Sequence, residues 1–150
     1  MNENVGDLAV TLFSEILAVD QLARANIAKV LPKGMELSHF SVLNHLAHSG
    51  GEKSPGALAK SFFVTRGAMT NTLGKLEWAG WVHIRPDWED ARRKLVSISP
   101  AGRSARDAAL QAIAPVIADV VDRVGAAEAR AALPVLRGIR LSLTDLDPKT

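Results

Sequence analysis

Thr65, Arg66, Thr70, Asn71 and Lys75 share the outward face of a helical stretch whose inward positions are Met69, Leu73 and Leu76. Side chains of these types suit nucleic acid. Arginine pairs with guanine, asparagine with adenine, and threonine meets either a base or a phosphate. Further along, Arg92, Arg93 and Lys94 form a second cluster, whose chemistry is attraction to phosphate and release of its counterions.

Charge is distributed to match. The 150-residue chain holds 18 basic and 16 acidic side chains, a net of +2. Residues 53–106 carry ten basic and four acidic ones, or +6, and the rest carries eight and twelve, or −4. A basic middle between mildly acidic arms implies a central surface that meets a polyanion.

Other chemistry finds little support. There are no cysteines, which excludes disulfides, thiolate metal sites and cysteine redox sensing. Nucleophile elbow, phosphate-binding glycine loop and zinc-helix motif are all missing, so no enzyme and no cofactor is expected. His45 and His48 lie one helical turn apart, but two ligands fall short of the four of a closed zinc site, so no metal is expected either. The longest apolar run, Ala112–Ala118, is far below a membrane span, and the N-terminus lacks the basic flank of a signal peptide. A cytoplasmic protein with no membrane partner is the expectation.

The elements that must hold these side chains follow from apolar spacing. Leu8, Leu12, Ile16, Val19, Leu22, Ala23 and Ile27 predict one long helix over Val5–Val30. A second helix is expected over Leu37–Ser49, with Phe40, Leu43, Leu46 and Ala47 inward. Ser54-Pro55 and Thr65-Arg66 then open two short helices, Ser54–Ser61 and Arg66–Ala79, because serine and threonine cap and proline suits the first turn. Alternation of Val82 and Ile84 with His83 and Arg85, and the pair Val96 and Ile98, predict a hairpin with a polar tip over Asp87–Arg93. Ser99-Pro100 starts a helix to about Val124, bent at Pro115. Gly125 separates it from a last helix over Ala126–Leu146, which Pro134 distorts, and Asp145–Thr150 reads as a frayed tail. The fold class is mainly α with a small β-hairpin wing: a winged helix–turn–helix lobe over 36–99 and long dimerisation helices over 1–35 and 100–150, in one domain. The two terminal stripes exceed what a small domain covers, which implies a homodimer.

Three runs carry a resemblance. They are Leu76-Glu77-Trp78-Ala79-Gly80-Trp81-Val82, Asp90-Ala91-Arg92, and Ile98-Ser99-Pro100-Ala101-Gly102. With Ser54-Pro55-Gly56-Ala57-Leu58-Ala59 and Phe40-Ser41-Val42-Leu43-Asn44-His45-Leu46, the chain resembles the MarR family of bacterial and archaeal transcriptional regulators. The resemblance implies a homodimer on duplex DNA with a near-palindromic operator, acting as a repressor. Carried over by position, Thr65, Arg66, Thr70 and Asn71 become base contacts, and Ser54 and Lys75 phosphate contacts. Arg92, Arg93 and Lys94 belong to the wing, where Asp90 orients Arg92 or Arg93. Many such regulators bind small aromatic acids in a cleft beside the DNA-binding lobe, for which Arg24, His39 and Arg85 are the candidate partners here. Glu36 departs from the family by standing where a capping threonine is usual. Gly67 and Gly74 weaken the recognition helix by up to about 1 kcal/mol each relative to alanine, and Trp78, Trp81 and Trp88 are unusual choices. The rival reading is a winged-helix protein-interaction module without specific DNA binding.

Overall fold

A computed structural model describes residues 3–146. Its elements are α1 (Glu3–Val30), α2 (Leu37–Ser49), α3 (Pro55–Ser61), α4 (Arg66–Trp78), β1 (Val82–Pro86), β2 (Lys94–Ile98), α5 (Pro100–Val124) and α6 (Ala126–Asp145). The fold is mainly helical with one two-stranded antiparallel hairpin, as the spacing predicts. Boundaries fall within one or two residues of expectation because local caps set them. Ser54 Oγ accepts from the Ala57 N–H at 3.2 Å and Thr65 Oγ1 from the Ala68 N–H at 3.1 Å. Such caps satisfy donors that a helix leaves unpaired at its start. Glu36 begins α2 by another route: its backbone N–H donates to His39 Nδ1 at 3.1 Å.

The turn between α3 and α4 has an unusual occupant. The Val64 N–H reaches the Ala59 carbonyl at 3.1 Å, and the Phe63 N–H reaches that of Lys60 at 3.3 Å. This pair closes α3 as a Schellman motif, whose left-handed position is usually glycine. Here it is Phe63, at φ 54°. The conformation costs a side-chain-bearing residue about 1–2 kcal/mol, yet Phe63 stays 75% exposed and returns little packing.

The hairpin is in the register Val82↔Ile98 and Ile84↔Val96. Lys53 pairs with Val96 through two backbone hydrogen bonds, of 2.9 and 2.7 Å, which tie the lead-in to α3 onto the wing. The wing base is locked to α5 through Ser99. Its hydroxyl donates to the Gly80 carbonyl at 2.6 Å and accepts from the Gly102 N–H at 2.9 Å. Gly102 permits this approach, since a methyl group there would stand 2.0 Å from the Trp81 carbonyl oxygen.

Leu43, Leu46, Leu58, Leu73, Leu76 and Val96 are the largest fully buried side chains of the core. Ile27 and Val30 from the end of α1, Leu31 just after it, and Ala105, Ala109 and Ile113 from α5 pack with them. The chain divides into two compact units, one up to residue 113 and one from residue 114 onward.

α5 and α6 run without interruption through Pro115 and Pro134. None of the described residues of α6 is buried. α6 continues to Asp145, and residues 147–150 of the expected tail lie outside the described residues. No helix among those described is long and apolar enough to cross a membrane.

Candidate nucleic-acid interface

Burial of Met69, Leu73 and Leu76 fixes the rotation of α4. With that face inward, Thr65, Arg66, Thr70, Asn71 and Lys75 are all exposed. Thr70 Oγ1 donates to the Arg66 carbonyl at 2.9 Å, so it meets a partner as an acceptor or through its methyl group. Ser54 is half-buried at the start of α3, and its oxygen already caps that helix.

Two aspartates build the wing tip. Asp87 Oδ1 accepts from the Glu89 N–H at 3.0 Å, and Asp90 Oδ1 from the Arg92 N–H at 3.1 Å. Such side-chain turns shape a loop without needing glycine. Asp90 Oδ1 also accepts from Arg92 Nε at 3.2 Å, while the Arg92 side chain stays 92% exposed. Of the two arginines assigned to Asp90, the geometry therefore selects Arg92. Arg93 and Lys94 are exposed, and neither forms an ion pair among the described residues.

The three cleft candidates do not come together. His39 is buried and lines a cleft of about 510 Å³ with Thr70, Asn71, Lys75, Trp78 and Trp81. Its Nδ1 accepts from Glu36, so the ring is neutral with its proton on Nε2. Burial pushes its pKa below the ordinary 6.5; Glu36 opposes this and Lys75 adds to it. Arg85 is engaged elsewhere. Its guanidinium bonds Glu52 Oε1 at 2.8 Å and the Pro86 carbonyl at 3.0 Å, and lies 4.2 Å from the Trp88 ring centroid. Arg24 sits exposed on α1, bonded to Asp20 at 2.9 Å. Neither Arg24 nor Arg85 lines this cleft, and Lys75 is the cation that does. The sequence reading missed Trp78 and Trp81 as cleft walls, although an aromatic pair flanking a helix end is a usable signal.

His45 packs edge-on against Phe62, with ring centroids 5.4 Å apart. His48 Nδ1 lies 3.2 Å from Arg106 Nη2, and Arg106 Nε donates to Asn44 Oδ1 at 3.1 Å. These contacts knit α2 to α5. No group of three or more His, Asp or Glu among the described residues gathers as a metal site would.

Residues 33–93, which include α4 and the tip of the hairpin, match a family model described as MarR family, and the sequence likeness to that family covers this stretch. A curated relative, the transcriptional activatory protein BadR of Rhodopseudomonas palustris, is 29% identical over 100 residues. That match spans 65% of this chain and 57% of BadR. Among solved structures, the transcriptional regulator BldR of Sulfolobus solfataricus superposes with a TM-score of 0.79 at 24% identity, covering 97% of this chain and all of that one. A mutant MarR from E. coli complexed with operator DNA gives 0.78 at 23% identity, covering 89% and 96%. The MarR fold thus extends well beyond the matched lobe.

Proposed function

We propose that the chain is a homodimeric, sequence-specific transcriptional regulator that sets α4 of each copy into one half of a near-palindromic operator. The observation that carries this reading is one lobe of MarR-family likeness joining the exposed face of α4 to the exposed Arg92-Arg93-Lys94 wing tip. The helix suits the major groove, and the wing suits the phosphates beside it. The likeness of the fold to a MarR structure complexed with operator DNA supports it.

Dimerisation follows from surface left uncovered. Leu8, Val19 and Leu22 on α1, and Leu133, Leu136 and Leu143 on α6, are exposed. A helix as amphipathic as α6 that buries nothing needs a partner, and a second copy supplies the same stripe. In the dimer, recognition helices on the order of 34 Å apart meet half-sites about 10 base pairs apart.

Occupying a promoter in this way represses it. The name of the R. palustris relative favours activation as a second reading. The effector is a small aromatic acid seated in the His39 cleft, with its ring against Trp78 or Trp81 and its carboxylate toward Lys75. A volume of about 510 Å³ suits such a ligand. It acts only through tighter binding to the form of the dimer that does not hold DNA.

The test is selection of genome fragments with the purified protein, repeated with phenolic acids. Recovery of one palindromic site, bound with steep salt dependence, is the expected result. Salt-insensitive association with any duplex overturns it in favour of a protein-interaction module.

A further inference from the structure

We propose that Phe63 is a DNA-contacting residue, packing its ring on apolar groups of the operator beside the start of α4. The inference rests on the reading of the lobe as a reader of duplex DNA. It deepens that reading by adding an apolar contact to a set of polar ones.

Three observations converge on this residue. Phe63 holds the left-handed position of the α3–α4 Schellman turn, at φ 54°, where glycine is strain-free. Phe63 is 75% exposed, while the adjacent Phe62 packs against the core, so the turn has its apolar anchor without it. Thr65, the cap of α4, is two residues away, and Lys60 and Arg66 flank the turn. Backbone strain and exposed aromatic surface both disfavour the isolated chain, and strain of this kind collects at functional sites. The flanking charges suit a polyanion. On duplex DNA, the apolar groups within reach of such a turn are thymine methyls and deoxyribose edges.

The experiment measures fluorescence anisotropy of a labelled operator fragment with the full chain and with Phe63→Gly, alongside thermal melting. Glycine relieves the strain, so the melting temperature should equal or exceed that of the parent. Operator affinity should fall about tenfold or more, the change expected when burial of one phenyl ring is removed. The salt slope should stay the same, because every phosphate remains engaged. Phe63→Leu, which keeps apolar bulk, should bind with intermediate affinity. An operator with uracil in place of thymine separates the two sources. A weakening that is not additive with Phe63→Gly assigns the methyl groups, and an additive one assigns the sugar edges. Unchanged affinity in Phe63→Gly overturns the inference and leaves the proposed function standing. A lowered melting temperature also overturns it, by making the ring a packing element. Failure of the parent chain to bind any duplex overturns both.

Discussion

The Arg66 guanidinium lies against Gly56, so near that a methyl group on the glycine would stand 2.9 Å from Nη2. The first side chain of the recognition helix is thereby laid over the first turn of α3, which Ser54 caps. Gly56→Ala should push the guanidinium aside while favouring the helix by about 0.5–1 kcal/mol. We expect a higher melting temperature and a several-fold weaker operator complex, read from melting curves and anisotropy. Unaltered binding would mean that Arg66 needs no shelf.

Arg92 and Arg93 should act on all DNA alike. Either Arg92→Ala or Arg93→Ala is expected to weaken binding to operator and random duplex together. Each should flatten the dependence of log affinity on log salt by roughly 0.9 for every phosphate that the side chain neutralised. Titrations across a salt series check this, and an unchanged slope in both variants counts against a wing–backbone role.

Asn71 should discriminate. Asn71→Ala is expected to cost about 1–3 kcal/mol on the operator and much less on random DNA, as removal of a bidentate pairing with a base would. Equal costs on the two would show that Asn71 reads no base.

His39 links stability to pH. Its pKa is lowered in the fold by burial, so the unfolded chain takes up a proton first as pH falls through 6.5. The stability it contributes is complete above that value and declines toward its lower folded value. Between about pH 7.5 and pH 5, the ordinary range of histidine switching, the melting temperature of the parent should therefore drop more than that of His39→Gln. Parallel curves would refute the linkage.

Much of this was legible because it is local. The caps Ser54, Thr65 and Ser99 act within three residues of themselves, and the buried stripe of Met69, Leu73 and Leu76 follows from helical spacing. Long-range partners were not legible. Glu52 holds Arg85 from 33 residues away, so periodicity left that arginine free to be assigned to the cleft. The role of His39 at the start of α2 was hidden for another reason, since a histidine ring accepting from the residue three before it has no sequence signature. Phe63 escaped notice because a left-handed turn is read from glycine, and the turn has none.

The cleft lined by His39 shares Thr70, Asn71 and Lys75 with the face of α4 proposed to meet the double helix. On the proposed reading, a guest seated there and an operator claim the same three side chains, so release of DNA requires no relay through distant elements. Such a sensor follows simple rivalry: rising guest concentration moves the half-saturation point for DNA in proportion, and enough operator always restores full occupancy.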